Sequence, residues 1–99
     1  MYEHIVMFKF NKNISPEKEQ DLLRQLKKLK GNIPGIIELT AGVNVTEEVE
    51  NQHGYTLGLR VTFKDKRDLD NYLPHPIHQE FVSSLNSVID QVIVSDYQI

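Results

Sequence analysis

Two strand-like segments, one near each end of the chain, carry large apolar residues at consecutive rather than alternate positions. Val6-Met7-Phe8 lies in the first segment and Val92-Ile93-Val94 in the last. Successive side chains of a strand point to opposite faces, so both strands are apolar on both faces. Helices can cover one side of such a sheet. A second subunit that packs sheet against sheet would cover the other, which predicts a homodimer.

A helix is predicted after the first strand. Ser15 is a favourable N-cap, Pro16 suits the first turn, and Glu17 complements the positive end of the helix. Its buried stripe should be formed by Leu22, Leu23, Leu26 and Leu29.

The middle of the chain predicts two more strands with a polar loop between them. Residues 36–45 form the earlier one, and residues 55–63 follow with strict period-two alternation. The loop covers residues 46–53, in which Val49 can begin a short helical turn. The apolar face of residues 36–45 should carry Ile37, Leu39, Ala41, Val43 and Val45.

A second helical region begins at Asp65, and the last strand covers residues 88–97. In that strand Val88, Val92 and Val94 should share one face, and Ile89, Ile93 and Tyr97 the other. The element order is β-α-β-β-α-β within 99 residues. This order predicts a single α+β domain over residues 1–99, a ferredoxin-like sandwich with a four-stranded antiparallel sheet.

The segment 72–78, Tyr-Leu-Pro-His-Pro-Ile-His, breaks the second helical region. A residue before proline is pushed away from helical geometry, so Leu73 and His75 should be extended. His75 should then lie near the N-cap of a helix that starts at Pro76 and ends near Asn86.

Helical spacing places Tyr72 and His78 on apolar faces, pointing inward. His4 shares a strand face with Val6 and Phe8, so it should enter the same interior if that face meets the helices. A phenol and an imidazole in one interior can serve acid–base chemistry, or they can be hydrogen-bonded residues at the edge of a core.

Metal binding by His75 and His78, which are three residues apart, is a weaker interpretation. His75 is expected at the cap, and no nearby acidic residue completes a site. We therefore expect no metal and no cofactor.

Composition excludes several classes of protein. The chain has no cysteine, which excludes disulfides, thiolate metal sites and a cysteine nucleophile. A net charge of -3 argues against nucleic-acid binding. RNA-recognition motifs share the element order, yet residues 53–57 match only the glycine–aromatic step of their signature. With no signal peptide and no membrane-length apolar run, we expect a cytoplasmic protein without membrane partners.

Several short stretches, in order along nearly the whole chain, resemble the stress-responsive A/B barrel (Dabb) domain family. The matching stretches are His4–Phe10, Leu29–Gly35, Gly54-Tyr55, Phe63–Asp65, Tyr72–His78 and Val94–Tyr97. The resemblance implies a dimeric α/β barrel built from two ferredoxin-like units. Haem-degrading and quinone-forming oxygenases use similar barrels, but this chain has no tryptophan and no convincing haem-ligand context.

Most members of the family have no assigned reaction, and one closes a polyketide chain by an aldol reaction. The catalytic residues of that relative correspond to Tyr72 and His78, with a further histidine at His4. In that scheme His78 is the base and Tyr72 orients the substrate or donates to the enolate oxygen. Some relatives bind magnesium through backbone carbonyls, which would fall on Lys30, Ile33 and Ile36.

Two functional hypotheses follow. The first is a homodimer that binds a small organic ligand in a pocket between sheet and helices, with no established reaction. The alternative is a polyketide cyclase-like enzyme with His78 as general base and Tyr72 beside it. Neither the ligand nor a role for the loop 46–53 follows from the sequence.

Overall fold

Four antiparallel strands form one sheet with three helices, in a computed structural model that describes residues 1–99. The elements are β1 (Tyr2–Phe10), α1 (Pro16–Lys27), β2 (Ile36–Val43), a 3₁₀ turn (Val49–Asn51), β3 (Tyr55–Phe63), α2 (Lys66–Tyr72), α3 (Pro76–Ser84) and β4 (Ile89–Gln98). The strand order is β2-β3-β1-β4. This is the predicted ferredoxin-like α+β fold, with β2 and β4 at the edges. None of the helices has the length and hydropathy needed to cross a membrane.

The core lies between the helices and one face of the sheet. The predicted leucine stripe of α1 is buried, including Leu22 and Leu26 with no exposed surface. From the sheet, β3 contributes Leu57, Val61 and Phe63, which are also fully buried. The strict alternation of β3 places these three side chains on the helix side. This layer fixes the positions of α2 and α3, which carry Tyr72 and His78.

Two irregular pairings move side chains away from their predicted faces. Between Ile36 and Glu38 the β2–β3 register shifts, so Ile36 packs against the core while Ile37 is 42% exposed. Leu39 and Ala41 pack against the core but Ile37 does not, so the prediction that Ile37 shares their face is wrong. Val45 lies beyond the end of β2 and is 88% exposed. A second shift, between Lys9 and Phe10, pairs Ile89 with Phe10 and turns Ile89 toward the core instead of the Ile93 face.

The face of the sheet that has no helices, here called the open face, carries a polar cluster at one end. Glu3 is buried there and accepts a hydrogen bond from Thr62 Oγ1 at 2.8 Å. Arg60 donates to Glu3 at 3.3 Å and forms an ion pair with Glu38. Each charged group of the cluster therefore has a partner within the chain. Further along the open face lie Ile5, Met7 and Ile93, and Ile93 is 52% exposed.

The start of α1 gives a test of the capping argument. Ser15 is the N-cap, and its hydroxyl accepts from the Lys18 backbone N–H at 3.0 Å. Because Ser15→Ala leaves that donor without its protein partner, we expect the free energy of unfolding to fall by about 1 kcal/mol in urea titrations. Ser83→Ala is the control, since this exposed serine makes no side-chain hydrogen bond. An equal change in the free energy of unfolding of the two variants would contradict the capping role of Ser15.

Candidate functional site

The break between α2 and α3 sets the geometry of the site. Leu73 has helical angles, φ -58° and ψ -45°, so the prediction that it is extended is wrong. Its N–H bonds to the Leu69 carbonyl, and its own carbonyl accepts from His78 Nδ1 and Gln79 Nε2, each at 2.8 Å. These bonds offset the steric cost of a helical residue before proline. His75 is extended as predicted, and its Nδ1 accepts from the Ile77 N–H at 3.1 Å as the cap of α3.

The structure brings His4, Tyr72 and His78 together. The rings of Tyr72 and His78 have centroids 4.5 Å apart, and the His4 ring meets Tyr72 edge-on at 5.9 Å. Tyr72 is only 1% exposed and also contacts Phe63 in the core. The tyrosine thus lies between the two imidazoles, one from the sheet and one from α3.

These three residues line a cavity of about 390 Å³ between the sheet and the helices α2 and α3, here called the candidate pocket. Most of its wall is apolar. The lining residues are His4, Val6, Phe8, Leu59, Tyr72, Leu73, His78, Phe81, Val82, Leu85, Val92, Val94 and Asp96. An apolar cavity with a few convergent polar groups is the usual form of a small-molecule site.

Several polar atoms of the candidate pocket have no hydrogen-bond partner in the chain, among them the Tyr72 hydroxyl and the Nε2 atoms of His4 and His78. No fully buried side-chain nitrogen or oxygen in this structure lacks a partner. These atoms are therefore in contact with solvent, and the candidate pocket adjoins all three residues. Each is free to bond to a molecule that enters.

The hydrogen bond at Leu73 determines the tautomer of neutral His78. A carbonyl oxygen only accepts, so Nδ1 carries the proton and Nε2 presents a lone pair. Burial lowers the pKa of His78, and the charges of His4 and His75 lower it further, while the bond to Leu73 opposes both. His78 is consequently neutral at pH 7 and can accept a proton. Burial raises the pKa of Tyr72 well above its usual value, so its hydroxyl remains a donor.

The depressed pKa of His78 predicts a pH effect on stability. In the unfolded chain His78 takes up a proton near pH 6.5, whereas in the folded protein it stays neutral to lower pH. The unfolded state therefore binds more protons in this range, and stability falls as pH drops below about 6.5. Urea titrations from pH 8 to pH 5 should show wild type losing more stability than His78→Leu. Identical dependence of stability on pH in the two proteins would contradict the lowered pKa of His78.

Asp96 is a functional candidate that sequence reasoning did not single out. In the antiparallel register it is the partner of His4, and its carboxylate accepts from His4 Nδ1 at 2.6 Å. This contact orients the imidazole and leaves Nε2 toward the candidate pocket. The signal in the sequence was an acidic residue on the strand face that also carries Val92 and Val94, but only the β1–β4 register places it beside His4.

The other residues considered from the sequence lie outside this arrangement. His75 uses Nδ1 as a helix cap. No group of three or more His, Cys, Asp or Glu side chains could hold a metal ion. Lys30, Ile33 and Ile36, where the resemblance implies a magnesium site in some relatives, line a separate open depression. The loop 46–53, which contains the expected helical turn, contributes no residue to the candidate pocket.

Comparison with known proteins agrees with this fold. The family model described as "Stress responsive A/B Barrel Domain" (Dabb) matches residues 2–99. The stress-response A/B barrel domain-containing protein HS1 of Arabidopsis thaliana is 32% identical, covering 97% of this chain and 87% of that protein. Olivetolic acid cyclase of Cannabis sativa is 25% identical, covering 96% and 93%.

Among solved structures, one from Thermobifida fusca is described as a dimeric ferredoxin-like protein of unknown function. It superposes with a TM-score of 0.87 at 17% identity and covers 99% of this chain and 90% of its own, a likeness of fold alone. The family match extends over almost the entire sequence. This chain belongs to the Dabb family of stress-responsive A/B barrel domains.

Proposed function

We propose that this protein binds a small organic molecule in the candidate pocket, with an apolar body against the pocket wall and a polar group at Tyr72 and His78. One observation carries the proposal: unpartnered polar atoms adjoin an otherwise apolar cavity. Polar groups of a folded interior are normally satisfied by protein or water. A ligand that bonds to these atoms and buries apolar surface against the wall is therefore stabilised by both hydrogen bonds and the hydrophobic effect.

The chemistry of the two groups defines the ligand. Tyr72 stays protonated and donates, whereas neutral His78 accepts through Nε2. A hydroxyl on an unsaturated carbon, as in a phenol or an enol, can accept from one and donate to the other. The apolar wall formed by Phe8, Phe81 and Val94 favours a hydrocarbon or aromatic body.

Binding of 4-propylphenol, measured by calorimetry and by ligand-observed NMR, tests this proposal. We expect saturable binding to wild type and weaker binding to Tyr72→Phe, which lacks the donor. Tyr2→Phe is the matched control, because Tyr2 is outside the candidate pocket. Equal affinity for wild type and Tyr72→Phe would reject this role for the hydroxyl.

A second candidate function is proton abstraction beside a carbonyl, favoured by the free lone pair on His78 Nε2. In this scheme Nε2 removes a proton from the carbon beside the carbonyl. The electrons of the broken C–H bond form a C=C bond, and the π electrons of the C=O bond move to the oxygen. Tyr72 donates a hydrogen bond to the enolate oxygen that forms. The relative olivetolic acid cyclase is named for ring closure, and its similarity to this chain supports the proposal.

We further propose that the protein is a homodimer in which the open faces of two sheets pack together. Ile5, Met7 and Ile93 supply the apolar surface of that face, as the strand pattern predicted. The Thermobifida fusca structure, which is described as dimeric, supports a homodimer. Light scattering after size exclusion should give twice the mass of the chain, and a single-chain mass at micromolar concentration would contradict it.

A further inference from the structure

One row of residues crosses the open face, and its side chains become smaller from the β4 edge to the β2 edge. In the strand pairings Ile93 lies opposite Met7, Met7 opposite Gly58, and Gly58 opposite Gly42. The row therefore starts with a large exposed side chain on β4 and ends with a residue that has none on β2. Between them, the Met7 sulfur lies 3.0 Å from where a Gly58 Cβ would be, so Met7 leans over Gly58.

The Gly42 end of the row is an empty notch. A Cβ built on Gly42 would meet no atom within 4 Å, and Gly42 does not have a positive φ. Neither backbone conformation nor packing within the chain therefore requires glycine here. Gly42, Gly58 and Met7 line a shallow groove of about 440 Å³ on the open face.

We propose that this row is the self-complementary centre of the homodimer, with Ile93 of each copy inserted over Gly42 of the other. A two-fold axis between the facing sheets and parallel to the strands exchanges the two ends of the row. Each projecting side chain then meets the opposite notch, as an isologous interface requires. The same rotation places β4, one edge strand, beside β2 of the second copy, the other edge.

The size and charge of the open face fit a second copy of this chain. Four strands of up to 10 residues form a face about 20 Å wide and about 30 Å long. Side chains add relief to this area of about 600 Å², which brings it close to the about 800 Å² per partner of a standard interface. Its charged residues Glu3, Glu38 and Arg60 form one cluster of ion pairs, and Lys9 pairs with Asp90 at 4.0 Å, so packing would leave no isolated charge. This inference rests on the proposed homodimer and identifies Ile93 and Gly42 as the residues that fit the two copies together.

Gly42→Val tests the notch. Within one chain the substitution should be tolerated, since the added atoms have space and valine suits a strand. In the dimer it fills the notch at two symmetric places. We expect the dimer dissociation constant, from sedimentation equilibrium, to rise about 100-fold or more. Ser83→Val, at an exposed position of α3 on the opposite side of the sheet, is the control and should leave it unchanged.

Ile93→Ala and the double variant Gly42→Val/Ile93→Ala complete the test. Ile93→Ala cannot clash and should weaken the dimer through lost contact. If the two sites meet across the axis, the double variant should dimerise at least about tenfold more tightly than Gly42→Val alone, because overpacking is relieved. Wild-type affinity in Gly42→Val, or a double variant no tighter than Gly42→Val, would overturn the inference while leaving the homodimer standing. A monomeric wild type would overturn both.

Discussion

Tyr72→Ala should lower the free energy of unfolding by about 3–5 kcal/mol, the range for truncation of a buried aromatic residue. Tyr72 is 1% exposed and contacts His4, Phe63 and His78, so alanine would leave a cavity in the wall of the candidate pocket. Tyr72→Phe should behave differently. Its ring keeps those contacts, and the lost hydroxyl has no partner in the chain, so stability should change by less than about 0.5 kcal/mol.

Urea titration of both variants at one protomer concentration separates the two roles of Tyr72, because dimerisation makes apparent stability depend on concentration. A loss above about 2 kcal/mol in Tyr72→Phe would mean that the hydroxyl holds the fold together, and it would contradict the proposed role of a free donor. The same two samples serve for 4-propylphenol binding, so that stability and binding are compared directly.

His78→Leu should reduce proton abstraction by about 10²–10⁴-fold if His78 is the general base of the second candidate function. The readout is exchange of the protons beside the carbonyl of 4-phenylbutan-2-one in D₂O, followed by NMR. This probe combines an aromatic body with one carbonyl, which matches the lining of the candidate pocket. His53→Asn is the control, because His53 lies in the loop outside it and asparagine tolerates its positive φ of 53°.

Stability should not follow the loss of exchange in His78→Leu. The Leu73 carbonyl that binds His78 also accepts from Gln79, so leucine leaves no orphaned acceptor. We expect unchanged or higher stability at pH 7, as for a polar group held in an apolar site for function. Unchanged exchange relative to wild type would reject His78 as the base. A stability loss of about 1–3 kcal/mol would assign it a structural role instead.

The fold was predictable because most elements carry agreeing local signals. β3 alternates without interruption, and Ser15 and Asp65 cap α1 and α2 as their residue types predict. The errors at Ile37 and Ile89 have one physical cause. Both residues lie beside register irregularities, which reverse the facing of a side chain without leaving a recognisable residue pattern.

For the site, the spacing of residues along helices and strands predicted which side chains point to the same interior. Spacing directed Tyr72 and His78 inward, and the strand pattern put His4 on one face with Val6 and Phe8, which in the structure is the face that the helices cover. What spacing could not provide were contacts between distant segments. The Asp96 partner of His4 depends on the β1–β4 register, and the Leu73 carbonyl that orients His78 depends on a helical residue before proline.

The most direct measurement is a titration of ¹⁵N-labelled protein with 4-propylphenol, following the imidazole nitrogens of His78 in wild type and Tyr72→Phe. Binding in the candidate pocket predicts that His78 Nδ1 is the protonated nitrogen and that Nε2 shifts saturably as it accepts from the phenol. It also predicts up to about tenfold weaker binding to Tyr72→Phe, the value of one lost hydrogen bond. A His78 Nε2 signal that stays fixed while other resonances titrate would place the ligand elsewhere and contradict the proposed function.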